Sequence, residues 1–379
     1  AARARTQARV IAVTGSAGKT STKEALRFVL SKFGATHASA ASYNNHWGVP
    51  LSLARMPSTT RFGVFEIGMN HAGEITPLVA MTRPHIAIVT NVAPVHLEHF
   101  GSVGAIAEAK GEIFSGLMKG GVALINRDVA EHDILDRCAR QSPAGHILSF
   151  GESAEADARL LEARPEGQGS RVRASMFGRE IEFHLGAPGR HLAMNALAVL
   201  AACKASGVAL EEAAAALADF EAPAGRGARH ALETAAGGFT LIDESYNANP
   251  ASMRAALALL GAADPTGEGR RIAVLGDMLE LGPTSPDLHA GLAEDVLAQG
   301  VDLVFAAGPM MKRLYDALPD GRRGGWRAQA AELQPLVLDA LGAGDVVVVK
   351  GSNGSRMGPI VAAIKQHFAP APAAALEQA

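Results

Sequence analysis

The sequence has few of the features that mark secreted, nucleic-acid-binding or membrane proteins. Its two cysteines, Cys138 and Cys203, form no CxxC pair, so neither a disulfide framework nor a zinc site is supported. The formal net charge is −3, with both signs interspersed, and such a chain lacks the basic field that binds nucleic acid. No apolar run approaches the roughly 18 residues needed to cross a bilayer. We therefore expect no nucleic-acid partner, no membrane insertion and a reducing, cytoplasmic setting.

The composition is that of a chain with a sizeable core. Hydrophobic residues make up 48% of the 379 residues and the mean hydropathy is +0.12, so we expect roughly two or three domains. The sequence begins with Ala1 and shows no signal peptide. We expect it to be a fragment of a longer protein.

A glycine-rich segment between a predicted strand and a predicted helix is the most informative feature. Apolar residues 10–13 lead into Thr14-Gly15-Ser16-Ala17-Gly18-Lys19-Thr20-Ser21. Glycines let backbone N–H groups converge on an anion, Lys19 supplies a mobile charge, and Thr20 offers a hydroxyl to magnesium. Val13 stands where the common P-loop has its first glycine, so the motif is the shorter TGxxGK[ST], and ordinary helix capping is the alternative. The segment predicts a nucleotide phosphate site.

Alternation of apolar strands with helical stretches predicts a doubly wound, mostly parallel α/β sheet in the first part of the chain. The predicted strands are 10–13, 62–67, 85–92 and 121–125. Alternating residues about Phe177-Gly178 predict an antiparallel hairpin over 171–185 at the edge of this sheet. Helices are predicted over 191–206 and 210–220.

A Pro- and Gly-containing segment, 221–227, predicts a linker between two domains. A second strand–helix series follows, with strands predicted over 238–243, 271–276, 301–306 and 345–349. We therefore assign residues 1–222 to a central nucleotide-binding domain, 223–368 to a C-terminal Rossmann-like α/β domain and 369–379 to a mobile tail. The second series has no GxGxxG, so its fold does not predict bound NAD.

Three ionisable residues are candidates for chemistry near the phosphate loop. Glu66 ends a predicted parallel strand, where it could hold magnesium or simply be solvated. His96 follows the next predicted strand and could bind a metal through a neutral ring nitrogen, although a lone histidine is usually structural. Lys110 lies in a predicted helix whose core side carries Ile106, Ile113, Phe114 and Leu117. A lysine in such a helix most often extends to solvent.

Several motifs in series resemble the Mur ligases of peptidoglycan synthesis. In the first part these are TGSAGKTS at 14–21, Tyr43-Asn44-Asn45, GVPL at 48–51, HLEHFGS at 96–102 and AKGEIF at 109–114. In the second part they are Gly189-Arg190-His191, Asn195-Ala196-Leu197, Gly225-Arg226, the segments 243–250 and 276–282, and Lys350-Gly351-Ser352. The resemblance covers roughly residues 8–368.

The resemblance implies an ATP-dependent amide ligase that activates UDP-N-acetylmuramoyl-tripeptide as an acyl phosphate and joins it to D-alanyl-D-alanine. It also implies that the enzyme acts as a monomer on small-molecule substrates. Another amide ligase of the same superfamily, of the folylpolyglutamate or cyanophycin type, and a non-catalytic ATP-binding fragment are the alternatives.

The resemblance also implies roles for individual residues. The implied catalytic residues are Lys19, Glu66, His96, Lys110 and Arg226. The implied ATP contacts are Gly15, Ser16, Ala17, Gly18, Lys19, Thr20, Ser21, Asn195, Arg226, Asp243, Asn247 and Asn249. Two Mg²⁺ ions are implied on Thr20, Glu66, His96 and Lys110, the lysine as its carbamate. The implied substrate contacts are Asn44, Asn45, Lys350 and Ser352.

Some of these positions have ordinary structural alternatives. Arg226 could be a solvated hinge charge, and residues 350–352 could form a tight strand–helix turn. His230 and His289 are interpreted as structural or surface residues. The sequence also departs from the family: Leu192 replaces the asparagine of a GxHN motif. The resemblance begins near residue 8, and we expect the family's N-terminal domain, which grips the uridine nucleotide, to be absent. We expect this absence to affect binding of the complete natural substrate.

Overall fold

The computed structural model describes residues 2–40, 42–94, 97–167 and 169–371. The chain divides into two compact units. Unit 1 comprises Ala1–Arg164, Gly169–Gly186 and Arg190–Phe220, and unit 2 comprises Pro165–Gln168, Ala187–Gly189 and Glu221–Ala379. Within the described ranges, no helix combines the length and the apolar character that crossing a bilayer would require.

Unit 1 is built on a sheet with the order β2-β3-β1-β4-β5-β6-β7-β8-β9. Its strands are β1 (Arg9–Thr14), β2 (Thr36–Ala38), β3 (Phe62–Glu66), β4 (Ile86–Val89), β5 (Gly121–Asn126), β6 (Ala144–Gly151), β7 (Ala158–Glu166), β8 (Gly169–Met176) and β9 (Arg179–Leu185). Its helices are α1 (Lys19–Ser31), α2 (Gly48–Arg55), α3 (Ile75–Thr82), α4 (Leu97–Phe100), α5 (Val103–Gly111), α6 (His132–Arg140), α7 (Arg190–Ala205) and α8 (Leu210–Ala216). The pairs from β2 to β7 are parallel. The predicted doubly wound α/β fold is confirmed.

The central strands of unit 1 form because their residues are apolar on both faces. From Val10 to Thr14 every residue of β1 is buried, as is all of β3 and β4. This two-sided burial is typical of a parallel sheet covered by helices. Helix α1 buries Leu26, Val29 and Leu30 as its spacing predicts, whereas it ends at Ser31, before Phe33.

The predicted hairpin at the edge of this sheet is confirmed. Strands β8 and β9 pair antiparallel from Ser170↔Leu185 to Met176↔Arg179. Phe177 (φ 55°) and Gly178 (φ 81°) both have left-handed backbone conformations. Two such residues make the tight turn whose twist matches that of the flanking strands.

Unit 2 is built on a sheet with the order β14-β13-β12-β15-β11-β10-β16. Its strands are β10 (Ala228–Thr234), β11 (Gly237–Glu244), β12 (Arg271–Gly276), β13 (Leu303–Ala307), β14 (Arg323–Arg327), β15 (Val346–Lys350) and β16 (Ala369–Pro370). Its helices are α9 (Pro250–Gly261), α10 (Ser285–Ala290), α11 (Leu292–Ala298), α12 (Met311–Ala317), α13 (Ala330–Ala340) and α14 (Gly358–His367). Apolar clusters cover both faces of the sheet.

The C-terminal segment is partly ordered, which corrects the prediction of a mobile tail from residue 369. Strand β16 pairs antiparallel with β10 through Leu232↔Pro370 and Glu233↔Ala369. Phe368, next to this strand, packs its ring edge-to-face on Phe239, with centroids 4.9 Å apart. This apolar contact holds the chain against the sheet edge. Residues 372–379 of the predicted tail lie outside the described residues.

A half-buried histidine links β1 to the start of β4. The Val10 N–H donates to His85 Nδ1 at 3.0 Å, and burial, with Arg9 and Arg3 nearby, lowers the pKa of His85 to about 4. The unfolded chain takes up this proton near the ordinary histidine pKa of about 6.5. As the pH falls from about 6.5 to 4, the unfolded state therefore binds more protons than the folded state, and the free energy of unfolding decreases.

His85→Asn keeps an acceptor for the Val10 N–H and removes the titration. When the pH is lowered from about 7 to about 5, we expect the urea midpoint of unfolding to fall less in this variant than in the wild type. Equal falls in the two proteins would contradict the role given to His85.

Candidate active site

The glycine-rich segment joins β1 to α1 in a conformation that glycine favours. Gly15 has φ 152° and Gly18 has φ 81°, and Lys19 begins the helix. A Cβ at Gly18 would lie 2.8 Å from Asn195 Oδ1, so the predicted ATP contact Asn195, on α7, lies directly against the loop. Lys19 Nζ donates to the Gly15 carbonyl at 2.7 Å. Backbone amides, the helix N-terminus and an ammonium group thus meet at one corner, as an anion site requires.

The loop is fixed by the segment that follows β4. Ser16 N–H donates to the Asn91 carbonyl at 2.9 Å, and Ser16 Oγ donates to the Ala93 carbonyl and accepts from the Ala93 N–H. Thr90 Oγ1 donates to the Ala17 carbonyl. Sequence reasoning missed Thr90 as part of this corner. Its position directly after a strand of the same parallel sheet is the signal that could have identified it.

Glu66 at the end of β3 joins the loop to the segment before α2. Its carboxylate accepts from Thr20 Oγ1 at 2.7 Å and from Asn44 Nδ2 at 2.8 Å, and its exposed fraction is 1%. Ser21, in the same helical turn as Thr20, is also buried. The solvated-carboxylate alternative for Glu66 is therefore wrong. A hydroxyl and a carboxylate beside a phosphate loop are hard oxygen ligands of the kind Mg²⁺ prefers, so Thr20 and Glu66 fit the implied ion.

Lys110 is buried, so the solvent-extended alternative is wrong. It lies in the last turn of α5 with an exposed fraction of 3%, and Ile106, Ile113 and Phe114 around it are fully buried. Burial first, and then the nearby Lys19 ammonium, lower the pKa of Lys110 well below its usual value. Both causes favour the neutral amine, which is the nucleophilic form. His96, the other predicted ligand of the second magnesium, lies outside the described residues, and its role stays a prediction.

A cleft of about 500 Å³ opens beside Glu66. Asn44, Asn45, Asn70 and Glu74 are among the residues that line it. Asn45 Oδ1 accepts from the Trp47 and Gly48 N–H groups at the start of α2, so this side chain also shapes the cleft rim. Unit 1 therefore brings together the predicted phosphate, magnesium and acceptor residues that the structure describes.

In unit 2, Asp243 at the end of β11 organises the segment that carries Arg226. Asp243 accepts from the Gly225 N–H at 2.8 Å and from Ser245 Oγ at 2.6 Å. The Arg226 guanidinium carbon lies 4.1 Å from the centroid of the Tyr246 ring, a cation–π contact that sequence reasoning missed. A second cleft, of about 740 Å³, is lined by Gly225, Asp243 and Tyr246 among others.

Two predicted ATP contacts of unit 2 have local structural partners. Asn249 Oδ1 accepts from the Ser252 N–H at 2.9 Å and caps α9. Asn247 is exposed, and its Oδ1 accepts from the Ala248 N–H at 2.9 Å. The assignment of both residues to ATP stays a prediction.

The side chains of Lys350 and Ser352, the predicted dipeptide contacts, form hydrogen bonds within unit 2. Lys350 Nζ lies 3.0 Å from Glu244 Oε2 and donates to the Asn247 carbonyl at 3.0 Å, with an exposed fraction of 2%. Ser352 Oγ donates to the Ala248 carbonyl and accepts from the Leu279 N–H. These bonds join the loops after β11, β12 and β15 at one edge of the sheet. A direct contact of either side chain with substrate stays a prediction.

Three other residues named from the sequence, one histidine and two cysteines, have structural surroundings. His289 is fully buried, with Nε2 accepting from the Met278 N–H at 2.9 Å and Nδ1 lying 2.7 Å from the Ser285 carbonyl. Burial lowers its pKa. Cys138 and Cys203 are free thiols, in agreement with the sequence analysis.

Gly18→Ala tests the close approach of the loop to Asn195. The added Cβ meets Asn195 Oδ1 at 2.8 Å in a left-handed backbone conformation, so we expect nucleotide affinity to fall about tenfold, with about 1–2 kcal/mol of backbone strain. Gly120 has nearly the same φ, +79°, and a Cβ there meets no described atom within 4 Å. Gly120→Ala should therefore lower Tm without changing nucleotide affinity. Unchanged binding in Gly18→Ala, measured by calorimetry, would contradict this geometry.

The comparisons with known proteins agree with this arrangement. The Mur ligase middle domain matches residues 13–203, and the Mur ligase glutamate ligase domain matches residues 228–353. UDP-N-acetylmuramoyl-tripeptide–D-alanyl-D-alanine ligase of Escherichia coli (strain K12) is 36% identical over 364 residues, which cover 95% of this chain and 77% of that protein. The enzyme of the same name from Rickettsia prowazekii is 34% identical, covering 95% of this chain and 78% of that protein.

A solved structure described as MurF from Acinetobacter baumannii is similar throughout. It superposes with a TM-score of 0.85 at 29% identity and covers 96% of this chain and 78% of that chain. Both units of the chain thus have their counterparts in one group of enzymes. The chain belongs to the Mur ligase family.

Proposed function

We propose that this protein is an ATP-dependent amide ligase that adds D-alanyl-D-alanine to UDP-N-acetylmuramoyl-tripeptide in peptidoglycan precursor synthesis. The observation that carries the proposal is a phosphate loop at which the Lys19 ammonium is held and Thr20 donates to the buried Glu66. The buried Lys110 is near enough for the Lys19 charge to lower its pKa. The relatives from Escherichia coli and Rickettsia prowazekii carry the name of this activity over about 95% of the chain.

The reaction needs activation because a carboxylate is a poor electrophile and oxide is not a usable leaving group. The terminal carboxylate of the tripeptide attacks the γ-phosphorus of ATP, an acyl phosphate forms, and ADP leaves. The amine of D-alanyl-D-alanine then attacks the acyl carbon, and phosphate leaves as the amide forms. Two anionic groups must approach each other in the first step, so positive charge at the site is the main requirement.

The residues of unit 1 meet this requirement. The loop amides and Lys19 hold and neutralise the transferring phosphoryl group. Thr20 and Glu66 would hold one Mg²⁺, and a bound Mg²⁺ supplies charge neutralisation for the phosphate oxygens. Asn44 keeps the Glu66 carboxylate oriented through its hydrogen bond, in addition to the predicted contact of Asn44 and Asn45 with the acceptor.

Lys110 would serve as a carbamate. Its neutral amine attacks the carbon of CO₂, a C–N bond forms as one C=O π bond opens onto oxygen, and the nitrogen releases one proton to solvent, so the neutral amine becomes an anionic carbamate. Low solvent exposure and the neighbouring Lys19 favour the unprotonated amine that this step needs. Together with His96, the carbamate would hold a second Mg²⁺.

Unit 2 would supply the remaining ATP and dipeptide contacts. Arg226 and Asp243 border one segment and would contact the nucleotide, as would Asn247 and Asn249 of unit 2. Asn195, on α7 of unit 1, would be a further ATP contact. Lys350 and Ser352 would lie at the dipeptide site. Their hydrogen bonds to the Asn247 and Ala248 carbonyls would position the loop after β11 there. A domain limit at 222/223, action as a monomer and a cytoplasmic location complete the proposal.

The test is an ADP-release assay with matched substrates. We expect ADP to form only when the muramoyl tripeptide and D-alanyl-D-alanine are both present, and L-glutamate to support no release in place of the dipeptide. Preference for L-glutamate would favour a folylpolyglutamate-type ligase. Tight ATP binding with no acceptor-dependent ADP release would favour a non-catalytic ATP-binding protein.

A further inference from the structure

A lysine with no exposed surface lies near the start of α1, shortly after the phosphate loop. Lys23 has an exposed fraction of 0% and is among the largest fully buried side chains of the described residues. A buried ammonium group lowers stability unless charged and polar partners surround it. None of the steps of the proposed reaction uses Lys23, so the reason for its burial lies in what it contacts.

The Lys23 ammonium contacts a carboxylate on its own helix and a carbonyl outside it. Its Nζ lies 2.7 Å from Glu24 Oε1 and donates to the Ser39 carbonyl at 2.9 Å. Ser39 follows β2, and its own N–H donates to the Val64 carbonyl of β3. Lys23 therefore fastens to α1 the start of the segment that leads from β2 to α2.

Further along, the same segment contacts Glu66, an implied magnesium ligand. The Gly68 N–H donates to the Asn44 carbonyl at 2.8 Å, and a Cβ at Gly68 would lie 2.8 Å from Asn44 Cγ. Asn44 is therefore packed directly on the backbone that follows β3. From this position its Nδ2 donates to Glu66 Oε1 at 2.8 Å.

These contacts form a closed ring of elements. The ring leaves α1 at Lys23, passes through Ser39, Asn44 and Glu66, and returns to α1 at Thr20, whose Oγ1 donates to Glu66 Oε2 at 2.7 Å. Thr20 and Lys23 are three residues apart on the helix, a spacing that puts two side chains on the same face. Thr20, Lys23, Ser39 and Glu66 are all buried. Because hydrogen bonds are stronger away from water, loss of one bond in such a ring affects the others.

We propose that Lys23 is a positioning residue for the magnesium site that Thr20 and Glu66 would form. Its bond to the Ser39 carbonyl sets the position of the segment that carries Asn44, and Asn44 in turn orients the Glu66 carboxylate. Groups that orient a metal ligand without touching the metal commonly change metal affinity by about 10–100-fold. This inference rests on the proposed function, because it takes Thr20 and Glu66 to hold Mg²⁺ together with bound ATP.

The test compares ATP binding with and without Mg²⁺, measured by calorimetry on the whole chain. The metal effect is the dissociation constant for ATP in EDTA divided by that in excess Mg²⁺. Lys23→Met keeps the length of the side chain and removes the ammonium, while Arg27 Nε still lies 2.7 Å from Glu24 Oε2. Lys23→Gln, whose shorter polar side chain still suits the Glu24 carboxylate, gives the same measurement if Lys23→Met does not fold.

Three further variants separate positioning from a loss of stability. Asn44→Ala removes the amide through which Lys23 is proposed to act. The double variant Lys23→Met/Asn44→Ala shows whether the two effects are independent. Val29→Ala is the matched control, because Val29 is fully buried on the same helix and lies outside the ring. Its smaller side chain should lower Tm through a cavity in the core.

We expect each Lys23 variant to lower the metal effect about fivefold and Asn44→Ala to lower it about tenfold. The double variant should fall no further than Asn44→Ala, because Lys23 acts through Asn44. ATP in EDTA should bind to every variant within about twofold of the wild type, since the loop amides and Lys19 are unchanged. Val29→Ala should keep the metal effect of the wild type.

Three results would overturn the proposal: a wild-type metal effect in the Lys23 variants, a double variant whose loss is the product of the two single losses, or an equal loss in Val29→Ala. Wild-type protein that binds ATP equally well with and without Mg²⁺ would contradict the magnesium site of the proposed function as well. Absence of acceptor-dependent ADP release counts against the proposed ligase activity alone, and the metal effect still decides the role of Lys23.

Discussion

Lys110→Ala is expected to reduce ligation by about 10²–10³-fold, the size of effect seen when one preorganised group that stabilises transition-state charge is removed. The lysine is 3% exposed on α5, and burial together with Lys19 lowers its pKa. The substitution removes the only atom that could carry the carbamate at this position. The measurement is kcat for ADP release that depends on both substrates, with saturating ATP.

Lys110→Arg is the second variant for this position, because a guanidinium keeps bulk and charge and forms no carbamate. It should be as inactive as Lys110→Ala, and depletion of CO₂ should lower the wild-type rate until bicarbonate restores it. Lys119→Ala removes an exposed lysine and should leave the rate unchanged. A wild-type rate in Lys110→Ala, with and without bicarbonate, would end the carbamate assignment.

Lys19→Ala is expected to lower kcat by a similar factor, about 10²–10³. Lys19 is the cation at the glycine loop, where its ammonium donates to the Gly15 carbonyl, and the γ-phosphoryl group gains negative charge as it transfers. Loss of Lys19 also removes one of the causes that lower the pKa of Lys110. The measurements are kcat and the dissociation constant for ATP.

Lys32→Ala is the matched control for Lys19, since Lys32 follows the same helix and its ammonium pairs with Asp219 at 2.7 Å on the surface. Its kcat should equal that of the wild type, because an exposed pair contributes about 0–1 kcal/mol to stability and lies at the other end of α1. Equal losses in the two variants would indicate damage to α1 rather than to phosphate binding.

The sequence predicted the features that depend on local pattern. The apolar runs of β1, β3, β5 and β12 are recognisable because both faces of these strands are buried. The hairpin at Phe177-Gly178 is recognisable because two runs of alternating residues flank a Phe-Gly turn. The structure shows that both turn residues are left-handed. Short or half-exposed strands such as β2 and β6 were missed, since tertiary pairing rather than a strong apolar run forms them.

The sequence identified residues of the site, but it did not show which atoms those residues contact. The glycine loop and Glu66 could be placed at one sheet edge, because the carboxyl ends of parallel strands meet there. The burial of Lys110 could not be derived, since a lysine in an amphipathic helix ordinarily reaches solvent. The bonds of Lys350 with Glu244 and Asn247 could not be derived either, because they join residues over 100 positions apart in sequence.

The most direct test of the central claim, that a carboxylate is activated by transfer of the γ-phosphoryl group of ATP, follows oxygen atoms. The acceptor tripeptide is prepared with ¹⁸O in both oxygens of its terminal carboxylate and is incubated with ATP and D-alanyl-D-alanine. An acyl phosphate keeps one of these oxygens on phosphorus when the amine expels phosphate, so mass spectrometry should find one ¹⁸O in each inorganic phosphate released. Inorganic phosphate without ¹⁸O, formed together with ADP and ligated product, would contradict the account.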